Sequence, residues 1–275
     1  MNTFQKVIKY AAITFAIILT LGILSGIVGV IATVVAVIDG GNRETIDFSE
    51  DFNGVEQLDI NSKYGKLVIK SGDQFRVEGT NVSDRFTAKV SNGRLMVDDS
   101  DRRFLWFSFG KSINRSSSIT IYVPENFNAK RIEINSGVGE VILENLSTDR
   151  LIINAGVGEI RGKNILAKSV KAGGGVGGMK FTDVNFQNVD CDGGVGSVQF
   201  DGIITGKSKF DCGLGGLEVN IKGSREDYSL DIDFGIGSVR INGDKVSSDY
   251  KDNYKSDNRI DIDGGVGEVK INFYD

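Results

Sequence analysis

The sequence predicts an all-β fold: a parallel β-helix, or β-solenoid, with repeats of about 19 residues. Three observations carry that expectation. First, the motif Gly-(Val/Ile/Leu)-Gly-x-(aliphatic or Met) occurs seven times, beginning at Gly137, Gly156, Gly175, Gly194, Gly213, Gly235 and Gly265. The first four intervals are 19 residues each, and the last two are 22 and 30. Second, there are 36 Gly and one Pro, Pro124. Strands that join a ladder exclude Pro, whereas tight corners recruit Gly. Third, no helical period of useful length follows Ile38.

Ahead of the β region, residues 11 to 38 carry no charge. That stretch exceeds the roughly 20 apolar residues needed to cross a bilayer. Lys6 and Lys9 precede it and Asp39 ends it. The basic flank predicts a short cytoplasmic N-terminus over 1–10, a transmembrane helix over 11–38 and the remainder outside the cell membrane. A cleaved signal peptide is the rival, but its apolar region is usually about 7 to 15 residues. Val34 and Ala36 offer only a poor cleavage site. Residues 39–44 read as a linker.

Residues 45–130 read as an irregular β region. Its expected strands are Val55–Ile60, Lys66–Lys70, Phe75–Gly79, Phe86–Val90, Arg94–Val97 and Ile119–Val123. The stretch Ile60 to Leu67 mirrors Ile134 to Val141, so this region is a degenerate start of the same architecture. Regular repeats fill residues 131–275, opening at Ile132, Leu151, Val170, Val189, Ser208, Leu230 and Ile260. Alternation predicts that the odd positions face inward, through the seventh, the aliphatic residue between the two Gly. Parity then flips at a corner, making the tenth and twelfth positions apolar. A third inward point is expected at Leu146, Ile165, Val184 and Ile203. Parallel coils explain the fixed stagger, which an antiparallel meander would not need. The polar stretch Ser247 to Arg259 reads as a surface loop, and the final strand, Lys270–Tyr274, as an uncapped end rung open to self-association.

The apolar N-terminal segment, the strand Ile119-Thr120-Ile121-Tyr122-Val123-Pro124 and the Gly-x-Gly-x-aliphatic units after it resemble the bacterial putative-adhesin, or toastrack-like, family of membrane-anchored envelope proteins. The resemblance covers nearly the whole chain. It implies a right-handed β-solenoid outside the membrane without established catalytic residues, and a link in some relatives to envelope stress, including cationic peptides. It transfers no functional residue.

The formal charge is −5; Lys6 and Lys9 are the only charges before Asp39, so the remainder carries −7. An acidic domain does not suit nucleic acid and favours cationic partners or divalent metal. The first candidate site is an acidic stripe of outward residues, Asp190, Asp192, Asp211, Asp231, Asp233, Asp261 and Asp263. It would take Ca²⁺ or a basic partner, although the nine-residue spacing of Ca²⁺-binding β-rolls is absent; a solvated face is the alternative. The second candidate is an aromatic insertion, Phe104, Leu105, Trp106, Phe107 and Phe109, flanked by Arg102, Arg103 and Lys111. It reads as a cap over the open end of the solenoid, or as a membrane or partner contact. Gly173 to Gly178 satisfies the dinucleotide pattern G-x-G-x-x-G, but no helix is expected after it. Cys191 and Cys212 are expected as small core residues on adjacent rungs two positions apart, about 8 Å between Cα atoms and beyond disulfide reach; an inter-rung disulfide, which an extracellular site would permit, is the alternative.

With no His in the chain, the usual general base and its Ser or Cys pairs are missing. Neither a catalytic residue nor a cofactor or metal ligand is assigned. The expected role is a non-enzymatic, membrane-anchored, extracytoplasmic scaffold or sensor for an envelope protein, a cationic peptide or a glycan. The alternatives are a self-assembling structural protein and a polysaccharide-active enzyme.

Overall fold

The computed structural model describes residues 45–99, 117–252 and 256–275. The expected transmembrane segment 11–38 and the aromatic insertion Phe104, Leu105, Trp106, Phe107 and Phe109 lie outside the described residues. Among the described residues no helix is long and apolar enough to cross a membrane, and the only helical turn is a 3-10 turn, Arg225–Asp227.

Among the described residues fifteen strands form one continuous sheet that winds into coils. Ahead of the regular coils lie β1 (Thr45–Phe52), β2 (Gln57–Gly72), β3 (Phe75–Ser83), β4 (Thr87–Ser91), β5 (Arg94–Asp98), β6 (Ser118–Pro124) and β7 (Asn128–Ala129). Three coils then run without a break in β8 (Arg131–Gln187). They are followed by β9 (Val189–Asp192), β10 (Val195–Thr205), β11 (Lys207–Lys222), β12 (Tyr228–Ile241), β13 (Asp244–Val246), β14 (Asp249–Lys251) and β15 (Asn258–Tyr274).

The mirror read from the sequence is a ladder. β2 lies parallel to β8 with Ile60 opposite Ile134, Gly65 opposite Gly139 and Leu67 opposite Val141. Each coil contributes one strand to each of two layers, joined at the Gly-x-Gly corner, and a shorter third side that forms its own ladder, as between 184–187 and 202–205. β2 continues both layers outward: its first half pairs with β5, its second half with β6. Antiparallel strands then close this end, β4 on β5 and β3 with β1 on β6. The apolar side chains between the layers form the core. Ile134, Ile153, Phe210, Ile232 and Ile262 come from one layer; Val141, Ile160, Met179, Val198 and Leu217 come from the other. Phe181 stacks on Phe200 with ring centroids 5.0 Å apart, and Phe210 meets Phe200 edge to face at 5.3 Å.

The corner differs from the sequence expectation. Val138, Val157, Val176, Val195 and Leu214 are only half-buried, and Ile236 and Val266 are 64% and 44% exposed. Parity therefore flips at the first Gly of the motif, and the seventh position faces out rather than in. The physical reason lies at the second Gly. Its φ is +148° at Gly139 and +141° at Gly158. A Cβ on Gly158 would stand 1.7 Å from the carbonyl oxygen of Gly139, one rung below. The backbones pack so closely at this corner that the aliphatic residue between the glycines has no interior to enter.

A second corner uses another left-handed position. Asn145, Asn164 and Asp183 have φ of +56°, +52° and +54°, a conformation that Asn and Asp tolerate better than most residues. Asn164 Nδ2 donates to Asn145 Oδ1 at 2.7 Å. At Gly202 the register slips by one residue, so Ile203 lies opposite Asn185 and is 37% exposed, while Ile204 takes the buried place. The expected inward point at Ile203 is corrected accordingly.

The coil order also departs from chain order. β15 pairs on one edge with β11 and on the other with β12, both parallel. The final strand is therefore the penultimate rung, and β12 is the end rung. That end is covered: β14 pairs antiparallel with Asp231–Asp233 and β13 with Val239–Ile241. The final strand is thus not the open end rung expected from the sequence, and the expected loop Ser247 to Arg259 supplies one of the covering strands.

Candidate functional site

All seven residues of the predicted acidic stripe, Asp190, Asp192, Asp211, Asp231, Asp233, Asp261 and Asp263, lie on the outer surface of one layer, because even positions of those strands point away from the core. The insertion of β15 resolves them into two columns. One column reads Lys171, Asp190, Lys209, Asp261, Asp231, Lys251 along the stack. Its charges pair locally: Lys171 with Asp190 at 3.0 Å, Arg259 with Asp261 at 2.6 Å, and both Arg259 and Lys251 with Asp231. The other column is uniformly acidic and reads Asp192, Asp211, Asp263, Asp233, Asp249. Adjacent strands bring these carboxylates to about 4.8 Å spacing.

Lys209 offsets part of this acidic column. Its ammonium lies 3.0 Å from both Asp211 and Asp263, and those two carboxylates, Asp211 foremost, hold its proton above the usual lysine range. Asp192 accepts the Gly194 N–H at 3.2 Å. Asp249 was not foreseen, because it sits on β14 in the stretch read as a loop; only the antiparallel pairing Asp233 to Asp249 brings it into line. Among the described residues no group of three or more His, Cys, Asp or Glu is arranged to hold a metal ion.

The corner row runs beside the acidic column on the same rungs. Val195, Leu214, Val266 and Ile236 lie in consecutive register and become most exposed toward Ile236. Together they make a face with a line of carboxylates next to a line of aliphatic side chains. The far flank of the corner is charge-balanced: Glu140 pairs with Lys66 and Arg161, and Arg161 also with Glu159. A separate concavity of about 560 Å³ opens on the third side, lined by Leu166, Ile203, Tyr274 and Lys222.

The remaining sequence candidates resolve simply. Gly173 to Gly178 lies within β8 and continues as strand. The void among Gly174, Gly175, Met179 and their neighbours is about 10 Å³, about the space of one water, so it does not cradle a nucleotide. Cys191 lies opposite Phe210, two positions before Cys212, and both thiols are free. Burial pushes the Cys191 thiol well above its ordinary value and Cys212 up to about 12, helped by Asp211 and Asp192. Such thiols are inert near neutral pH. The carboxylates with a resolved displacement, Asp51, Asp149, Glu226 and Glu268, are all held below their usual range by nearby donors. A general acid needs the opposite displacement.

No curated protein matches the chain. Among solved structures, the chain is similar to a "putative cell adhesion protein" from Clostridium sporogenes ATCC 15579, at 19% identity, covering 84% of this chain and 100% of that one, with a TM-score of 0.43. It is also similar to a "putative adhesin" from Bacteroides fragilis NCTC 9343, at 12% identity over 85% and 99%, with a TM-score of 0.45. A third is a "putative lipid binding protein" from Parabacteroides distasonis ATCC 8503, at 13% identity over 86% and 99%, with a TM-score of 0.31. The family and the two adhesin-named neighbours are not named as enzymes. The profile of the family described as Toastrack DUF4097 matches residues 55–272, and the chain belongs to that family.

Proposed function

We propose that this protein is a non-catalytic, adhesin-like interaction module, anchored in the cell membrane by residues 11–38 with its β-solenoid outside. Its working surface is the face where Asp192, Asp211, Asp263, Asp233 and Asp249 run beside Val195, Leu214, Val266 and Ile236. The supporting observation is this double row: five carboxylates in consecutive register next to aliphatic side chains that go from half-buried at Val195 and Leu214 to exposed at Val266 and Ile236. Its chemistry suits a basic, amphipathic segment of an envelope partner or peptide. Cations would neutralise the self-repelling column, and apolar side chains would cover the corner row. A rigid stack presents such rows without an ordering cost on binding.

The test is titration of residues 40–275, free of the apolar segment, with a Lys/Leu amphipathic peptide and with a scrambled peptide of equal charge. Binding of the amphipathic peptide should exceed that of the scrambled one and weaken as salt rises. Asp211→Asn with Asp233→Asn should lower affinity by up to about 30-fold, since two exposed charge pairs contribute up to about 1 kcal/mol each and about 1.4 kcal/mol is tenfold. Equal binding of both peptides, or no effect of the Asn substitutions, would refute the assignment of this face.

A further inference from the structure

The rung order β11–β15–β12 has a consequence for how the last coils are held. Among the described residues β12 forms no ladder with β11, and its only parallel partner is β15. The same residue types meet on both sides of β15: Gly267 stacks on Gly215 and under Gly237, and Val269 on Leu217 and under Val239. The groove between β11 and β12 therefore recognises a strand with the spacing of β15 and nothing about which copy supplies it. The interval of 22 residues from Gly213 to Gly235 is three longer than the regular 19. Stepping over one extra rung takes about 4.8 Å, or one to two extended residues, so the longer interval accommodates the gap.

One polar cluster fastens this arrangement. The Arg225 guanidinium pairs with the Asp252 carboxylate, their side chains being 15% and 5% exposed, the most buried of the ion pairs resolved among the described residues. Asp252 Oδ2 also accepts the Leu230 N–H at 3.0 Å, and Arg225 Nη1 donates to the Tyr228 carbonyl at 2.7 Å. The same guanidinium stands 5.4 Å from the centre of the Phe273 ring on β15. Nearby, Gly223 N–H donates to the Tyr274 carbonyl at 2.8 Å, and Asn258 Nδ2 to the Asp227 carbonyl at 3.2 Å. One side chain, Arg225, thus touches the start of β12, the chain just after β14, and β15.

We propose that Arg225–Asp252 is a latch on β15, and that releasing it lets β15 of a second copy occupy the groove between β11 and β12, giving strand-exchanged pairs. The partner is a second copy of this chain because the groove's register, Gly corner and flanking Ile and Val positions fit this strand on both edges. Exchange needs only the local opening of the outer rungs, not unfolding of the coils in β8.

The test mixes two populations of the full-length chain in detergent, labelled with donor and acceptor fluorophores, and follows energy transfer during incubation in mild denaturant. Asp252→Asn should mix at least about tenfold faster than wild type, because an uncompensated buried partner favours opening. Phe273→Leu, which keeps the ion pair and removes the ring beneath the guanidinium, should also accelerate mixing and serves if Asp252→Asn does not fold. A disulfide between Glu218→Cys and Lys270→Cys, opposite each other on β11 and β15 at about 4.8 Å and within disulfide reach, should abolish mixing until it is reduced. Equal mixing by wild type and both latch variants, or mixing that persists with the disulfide closed, would overturn the proposal.

Discussion

Gly158 shows how one residue type at one position dictates this fold. Its φ of +141° and the carbonyl of Gly139 beneath it leave no room for a Cβ. Gly158→Ala should lower stability by about 1–3 kcal/mol from backbone strain alone, with the clash adding to it. Gly178 is the control: its added Cβ would meet nothing closer than Ser197 Oγ at 3.7 Å, so Gly178→Ala should change stability by less than about 1 kcal/mol. Urea midpoints of the two variants check this contrast. The buried thiols give a second residue-scale expectation. Burial raises the folded pKa of Cys212 from 9.0 to about 12 and that of Cys191 further. The neutral thiols therefore contribute stability that is complete below pH 9.0. That contribution fades as the pH climbs toward the folded value, because the unfolded chain ionises first. Between about pH 8 and about pH 10 the urea midpoint should fall more for wild type than for the Cys191→Ala, Cys212→Ala double variant. Equal falls would contradict the assignment.

At the scale of the element, much of the architecture was legible. The likeness of the stretch Ile60 to Leu67 to that from Ile134 to Val141 foretold a ladder in the correct register, because in-register coils repeat the chemistry that each place in the coil demands. The acidic stripe was legible for the same reason. Two features were not. The outward turn of Val138, Val157 and Val176 was hidden because an aliphatic residue reads as core by type; only the close approach of the glycine backbones excludes it. The left-handed corner at Asn145, Asn164 and Asp183 left a readable signal, an Asn or Asp every 19 residues, that hydrophobic periodicity does not register. The corrected parity makes an opposed pair of predictions. Phe200→Ala, in the aromatic stack, should cost about 3–5 kcal/mol. Val176→Ser, on the corner row, should stay within about 0.5 kcal/mol. Denaturant melts of both variants decide whether the seventh position is surface.

For the whole molecule, the order of rungs matters more than their number. Local repeats specify that coils stack, but every coil carries compatible edges, so the sequence does not state which stacks on which. The two long intervals were the only trace: one accommodates the step over β15, and the other holds β13 and β14, which cover the end rung. Short antiparallel strands lie over the coil edges at both ends, and the sides of the stack are the broader surfaces for contact. β15 also brings Asp263 between Asp211 and Asp233, making the acidic column continuous beside the corner row. The most direct test of that face is photocrosslinking in intact cells, with a photoreactive residue placed in the full-length chain at Ile236 or, on the third side, at Leu166. The account predicts adducts with a basic partner from position 236, lost on adding Asp211→Asn and Asp233→Asn, and no such adduct from position 166. The same adducts from both positions, or adducts from 236 that ignore the loss of the carboxylates, would contradict it.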